Sequence, residues 1–164
     1  MNIDDLVSDL KARFDGIEPS EFRGQTRIIV PKPVVFSLLE LLKDDGFDLL
    51  VDITCVDYLN FRDASNRFGL VYLLASTESG TRLTVRVMLD ESDLQVDSVT
   101  SLWQGADWLE REVWDMFGIR FVGHPDLRRI LLPEEFVAHP LRKDYPLQGR
   151  GERHNFPVLT RKEA

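Results

Sequence analysis

The chain has 164 residues, 43% apolar and 29% charged, with a formal net charge of −8. That length suits one domain burying roughly two thirds of its unfolded surface, and the composition excludes general disorder. A single cysteine excludes an intramolecular disulfide framework, no apolar run approaches the ~20 residues of a membrane helix, and the acidic opening MNIDDLVSDL is unlike the basic start of a signal peptide.

In chain order, Ile3, Leu6, Val7, Leu10 and Phe14 recur at helical spacing, with Asn2 placed to cap. Gly16 to Gly24 reads as a loop around Pro19 and Ser20. Thr26–Val30 is a short β-prone run. Pro31 and Pro33 then open a helix whose apolar stripe is Val35, Leu38, Leu39 and Leu42, ending at Gly46. Three strands follow. Leu49–Tyr58 has one fully apolar face and one mixed face. Arg67–Thr77 is apolar on both faces, as a central strand is. Thr81–Leu89 alternates Leu83, Val85, Val87 and Leu89 with Arg82, Thr84 and Arg86. Glu78-Ser79-Gly80 is a tight hairpin loop. Cys55 lies within an apolar run and reads as a buried small side chain.

Asp97 or Ser98 is placed to cap a helical piece running to about Trp103, broken by Gln104-Gly105. Ala106–Phe117 predicts a second helix with Gly118 as its stop, and Ile119–Val122 a last short strand. After Gly123 no periodicity persists, and prolines fall at 125, 133, 140, 146 and 157. The order predicts an α+β fold: a small mixed or antiparallel sheet of about four strands covered by helices, with a long extended C-terminal tail. The division is a domain over 1–122 and a tail over 123–164.

Charge follows that division. Residues 1–119 carry 11 Lys+Arg and 22 Asp+Glu, a net of −11, and residues 120–164 carry 9 and 6, a net of +3. A mildly basic tail on an acidic body indicates a docking surface and is too weakly basic for nucleic acid. Within the tail one pattern occurs twice: His124-Pro125 before Leu127-Arg128-Arg129, and His139-Pro140 before Leu141-Arg142-Lys143. His124, His139 and His154 are 15 residues apart, without the short ligand spacing that zinc sites use. No nucleophile elbow, phosphate loop or set of cluster-binding thiolates occurs. On the second helix Asp107, Arg111 and Asp115 stand four apart, flanked by Glu110 and Glu112. Two readings are open: a solvated face of ion pairs, or carboxylates that hold the tail arginines Arg128, Arg129 and Arg142. Leu131, Leu132, Phe136, Leu141, Tyr145 and Phe156 need burial somewhere, which favours a strap across another protein.

The run 110-EREVWDMFGIRFVGHPDLRRIL-131 resembles the signature of the respiratory complex I 30-kDa subunit family, part of the bacterial NADH-quinone oxidoreductase, in its unfused form with a short C-terminal extension. Glu110, Arg111, Glu112, Asp115, Met116, Phe117, His124, Arg128, Ile130 and Leu131 fill its slots. The stretches PEEFVAHPLRKDYPL, DLLVDITCVDYL and VYLLAS continue the likeness from about Val30 to Leu147. Phe136 and Ala138 stand where the family usually has Trp and Gly.

The resemblance implies a peripheral-arm subunit of a proton-translocating NADH:quinone oxidoreductase, on the cytoplasmic side of a bacterial inner membrane. It lies beside the 49-kDa subunit and the iron–sulfur subunits, touching the membrane only through the complex. Flavin, iron–sulfur clusters and quinone are expected in partner subunits and none in this chain, which is expected to have no activity alone. A related quinone-reducing or membrane-bound hydrogenase complex, or a non-respiratory adaptor, is the alternative. The candidate partner-binding residues are Glu110, Arg111, Glu112, Asp115, His124, Arg128, Arg129, His139, Pro140, Arg142, Lys143, Asp144 and Tyr145. The first His-Pro block is expected to pack on its own helix and the second to meet the partner.

Overall fold

A computed structural model describes residues 3–62, 64 and 66–152. The Asn2 cap, His154, Pro157 and Phe156 lie outside the described residues. Helix α1 (Ile3–Arg13) leads into a hairpin of β1 (Glu18–Phe22) and β2 (Gln25–Val30). Its turn is Arg23-Gly24, both at positive φ (54° and 73°), as a two-residue turn between twisted strands requires. A 3₁₀ turn at Lys32–Val34, with Pro33 in its first positions, feeds α2 (Val35–Asp44). Then come β3 (Leu49–Asp57), β4 (Phe68–Ala75), β5 (Arg82–Leu89) and β6 (Gln95–Asp97). Helix α3 (Ala106–Phe117) and β7 (Arg120–Val122) close the regular part.

The main sheet has five strands in the order β1-β2-β5-β4-β3, antiparallel except where β2 runs parallel to β5. The α+β expectation holds, with one strand more than expected. Residues 18–22 form β1 rather than loop, and all five are exposed, so no alternation marked them. Gln95–Asp97 pairs in parallel with Arg120–Val122 as a separate two-stranded sheet. The expected helix after Asp97 is a single turn, in which the Val99 carbonyl accepts both the Leu102 and Trp103 N–H groups. Ser98 Oγ instead takes the Thr100 N–H and reaches the Thr100 hydroxyl, a local bond that competes with helix.

Register puts one residue set under the helices. Ile53 pairs Tyr72, Cys55 pairs Leu70, Tyr72 pairs Val85 and Val85 pairs Ile28. These pack with Leu38, Leu39 and Leu42 of α2 and Val113 and Phe117 of α3 in one core. Burial pushes the Cys55 thiol up to about 12, so it is a small apolar filler and no nucleophile at neutral pH. No helix among the described residues is long and apolar enough to cross a membrane.

Tyr72 is fully buried, and its hydroxyl has no hydrogen-bond partner among the described residues. An unpaired buried hydroxyl carries its desolvation cost without return. Tyr72→Phe is therefore expected to raise stability by about 1 kcal/mol, read as a higher urea midpoint at unchanged slope.

Candidate functional site: a strap keyed into helix α3

Helix α3 is where the sequence signature lies, and two of its carboxylates are fully buried: Glu110 and Asp115. They do different things.

Asp115 faces the tail. Its Oδ2 accepts the backbone N–H groups of Ile130, Leu131 and Leu132 at 3.1, 2.9 and 3.0 Å. Its Oδ1 pairs with the Arg129 guanidinium. Arg129 Nη2 also donates to the Ala138 carbonyl (3.2 Å), and the guanidinium lies 5.7 Å from the Trp114 ring and 5.9 Å from that of Phe136. Burial alone would raise the Asp115 carboxyl; the three N–H donors and the guanidinium outweigh it and hold the group below the usual carboxylate range.

The two His-Pro blocks bind the two ends of the same helix. At its start, His124 Nδ1 accepts the Asp126 N–H (3.0 Å), so Nε2 carries the proton in the neutral ring. Nε2 sits 3.2 Å from both the carbonyl oxygen and the Oδ1 of Asp107. Next, Arg111 donates to the carbonyls of Arg128 and Arg129 at 3.1 and 3.2 Å. At the helix end, His139 Nδ1 bonds the Asp115 carbonyl (3.0 Å), the Leu141 N–H bonds that of Met116 (3.2 Å), and Arg142 Nε bonds that of Phe117 (2.6 Å). A helix leaves its last carbonyls unpaired and slightly negative; the second block takes three of them in succession. Burial lowers the His139 pKa, and the nearby Arg142 and Arg129 charges add to that, so the imidazole stays neutral. Gly118 adopts the left-handed conformation (φ 78°), and a Cβ there would lie 2.6 Å from His139 Nε2.

Beyond the block, the strap reaches the sheet. The Lys143 N–H donates to Asp57 Oδ2 (2.9 Å). Arg67 joins Asp57 (3.2 Å), Asp144 (2.7 Å) and Glu91. Tyr145 donates to Glu152 (2.8 Å) and packs tilted against Phe136, centroids 5.9 Å apart. Asp57 and Arg67 were not singled out in the sequence. The signal was present: Asp57 continues the Ile53, Cys55 alternation as a carboxylate on the core side of β3.

Both readings of the α3 charges need correction. The face is not solvated, since Glu110 and Asp115 are buried, and Arg111 bonds tail carbonyls rather than Asp107 or Asp115. Carboxylate capture of the tail occurs, with Arg129 as its arginine. Arg128 is exposed and pairs with Asp126 (2.9 Å), and Arg142 binds a carbonyl. The second His-Pro block, expected on the partner, is engaged by α3; Pro140 is half-buried within it. Glu112 and Lys143 are exposed. Of the expected apolar anchors, Phe136 is buried and Leu132 packs on the core, whereas Leu131 and Leu141 face outward, as do Val137 and Leu147. His124 and His139 stand at opposite ends of α3, and among the described residues no three metal-ligating side chains come together.

Glu110 points into the core, where Oε1 accepts the Val99 N–H (2.7 Å) and Oε2 has no hydrogen-bond partner among the described residues. Burial pushes its carboxyl up to about 7; the Val99 N–H and the Ser98 hydroxyl pull down, and Asp107 pushes up.

Two outcomes follow for these carboxylates. Asp115→Asn removes the anion and sets an amide against three backbone donors and a buried guanidinium. It is expected to cost about 3–5 kcal/mol and to open the strap to trypsin at Arg128, Arg129 and Arg142, read by urea unfolding and timed digestion. For Glu110, the folded chain holds a proton between pH 4.5 and about 7 that the unfolded chain has released, so stability falls as pH rises through that window. Glu110→Gln is expected to remove this fall, about 3 kcal/mol at 1.36 per pH unit, and to be more stable than the parent at pH 8; parallel slopes of stability against pH would exclude it.

The sequence matches the family described as "Respiratory-chain NADH dehydrogenase, 30 Kd subunit" over residues 28–151, which includes α3 and the strap as far as Gly151. An NADH-quinone oxidoreductase subunit of Citrifermentans bemidjiense is 46% identical over 146 residues, 87% of this chain and 89% of that one. Its counterpart in Geobacter sulfurreducens is 42% identical over 146 residues with the same coverage. Among solved structures, a trypsin-resistant fragment of Nqo5 superposes with TM-score 0.72 at 36% identity, covering 77% of this chain and all of the fragment. A chain of the membrane-bound sulfane sulfur reductase, an archaeal respiratory membrane complex, gives TM-score 0.75 at 25% identity, covering 96% of this chain and 93% of that one. The chain belongs to the 30-kDa subunit family of respiratory-chain NADH dehydrogenase.

Proposed function

We infer that this chain is a scaffold subunit of the peripheral arm of a proton-translocating NADH:quinone oxidoreductase, seated beside the 49-kDa subunit on the cytoplasmic side of the membrane. Membership of an oxidoreductase complex follows from the family. The observation that carries the scaffold role is the strap. Many of its polar groups bond the chain's own α3 and the β3–β4 side of the sheet, while Leu131, Val137, Leu141 and Leu147 are left outward on a segment already fixed. A pre-ordered apolar surface loses little entropy on docking, which suits a permanent neighbour. In this reading flavin, iron–sulfur clusters and quinone reside in partner subunits, and the isolated chain has no turnover of its own. Likeness to a chain of a membrane-bound sulfane sulfur reductase, an archaeal respiratory membrane complex, favours as a second reading a subunit of a related respiratory complex.

Arg142→Glu is no clean probe of assembly, because it also strips the Phe117 carbonyl of its donor. Leu131→Asp with Val137→Asp alters only outward side chains. This pair is expected to leave the thermal midpoint of the isolated chain within a few degrees of the parent and to reduce native co-purification of iron–sulfur and quinone-site subunits at least tenfold. Undiminished recovery of those subunits would count against the scaffold role, as would a catch without them from the parent chain.

A further inference from the structure

The sheet face turned away from the helices is built unlike a solvated one. On β3, Leu50, Ile53 and Cys55 enter the core, and Leu49, Val51, Thr54 and Val56 point outward, with Leu49 46% and Val51 47% exposed. A solvated antiparallel face alternates apolar-in with polar-out; here the outward set is mostly apolar. The neighbouring strand continues it through Gly69, Val71, Leu73 and Ala75. Val71 and Ala75 are buried yet lie outside the helix-covered core. Leu59 and Phe61 extend the exposed apolar surface past the end of β3.

The other half of the face is basic. Register sets Arg82 beside Ala75, Arg86 beside Val71, and Arg27 beside Thr84. Arg27 lies over the exposed Phe22 ring at 4.9 Å, and its Nε is buried without a hydrogen-bond partner among the described residues. Arg67, Arg111, Arg129 and Arg142 on the helix side are all bound by acceptors. Arg27, Arg82 and Arg86 form no ion pair with any described residue, in a chain of net charge −8. Glu18 and Asp52 lie on the same side by register and reach none of the three.

Two stripes therefore run along the strands: an apolar one on β3 and β4, a basic one on β5 and β2. Adjacent strands are about 4.8 Å apart, so the centres of the two stripes stand about 10 Å from each other, about one helix diameter. A second copy of this chain, related by a two-fold axis, would set arginine against arginine or against the apolar stripe, and in neither case against an acid. The chain's own residues 153–164 are basic, with Arg153, Arg161 and Lys162 against Glu163, the wrong sign to cover the face.

We propose that this open sheet face docks an acidic amphipathic helix of a neighbouring subunit, so that the chain joins partners on two opposite sides. The apolar stripe of the helix lies on Val51, Val56 and Leu73, and its acidic flank meets Arg82 and Arg86. Those two residues are four apart on a strand, about 13 Å at 3.3 Å per residue. At 1.5 Å per residue that distance is about nine residues of helix, and acids seven or eight apart share one face and lie within side-chain reach of both arginines. The proposal rests on the chain being a subunit of an assembly and adds the second face.

The test uses the intact complex, with a photo-reactive benzophenone amino acid at position 51 and, separately, at position 137 on the strap side. Adducts are mapped by mass spectrometry. Position 51 is expected to cross-link a partner segment of helical apolar spacing with two acids seven or eight residues apart. Arg82→Glu with Arg86→Glu lowers that yield at least tenfold, Arg82→Lys with Arg86→Lys keeps it, and the position 137 adduct persists in both. Should the Glu pair fail to assemble, Arg82→Gln with Arg86→Gln is read instead and lowers the yield severalfold. The proposal is overturned by no adduct at position 51, by an adduct to a second copy or to residues 153–164, by a partner segment lacking acids, or by yields that ignore the charge changes. Absence of the position 137 adduct in the unaltered complex would instead sink the scaffold role.

Discussion

A carboxylate with no access to water must be surrounded by donors, and Asp115 meets that demand with a segment that has no secondary structure of its own. Three consecutive N–H groups, from Ile130 to Leu132, converge on one oxygen, and Arg129 closes the other. Once those residues are fixed, the chain on either side has little freedom. Upstream, the backbone carbonyls of Arg128 and Arg129 fall on Arg111. Downstream, His139, Leu141 and Arg142 fall on the free carbonyls at the end of α3. A proline-rich stretch is thereby ordered by polar contacts to one helix, and its apolar residues divide into those that face the core and those left outward.

Glu110, five residues earlier on the same helix, is buried with a single backbone donor and an unpaired second oxygen. Near neutral pH it sits close to the point where it takes or loses a proton. Donor count separates the two: four groups that favour the anion at Asp115, and little beyond the Val99 N–H and the Ser98 hydroxyl at Glu110. Carboxylates of one short signature thus have opposite dependences on acidity. The charge that keeps the strap in place strengthens above the carboxylate range, and the charge inside the core is a burden there.

Much of this was legible in the sequence. The two-faced apolar run of β4, the tight turn at Ser79-Gly80, the Val35–Leu42 stripe and the Gly118 stop were all readable because burial imposes a period on them. The strand EPSEF was not, since a fully exposed edge strand containing proline carries no period. The Asp97-Ser98 pair mimics a helix cap, and nothing local reveals that Val99 gives its N–H to Glu110 instead. Glu110 itself is at apolar spacing, four after Ala106 and three before Val113, so its burial could have been read. Asp115 could not, because what covers it arrives from residues 129–132. The repeated His-Pro-Leu-Arg pattern stood out at once, but the likeness hides unlike jobs: one block binds the start of a helix and the other caps its end.

The bond from Lys143 to Asp57 spans 86 positions, and every donor to the Asp115 side chain also follows it in the chain. During synthesis, then, the sheet and α3 emerge before the segment that neutralises them. A nascent chain stopped short of Arg129 lacks the residues that cover Asp115, so its carboxylate meets water in place of its donors, and three carbonyls at the end of α3 stay uncapped. Such a product would display a poorly closed helix end to chaperones and proteases. The strap is thus the last of these pieces to reach its place, after the helix that it closes has already been made.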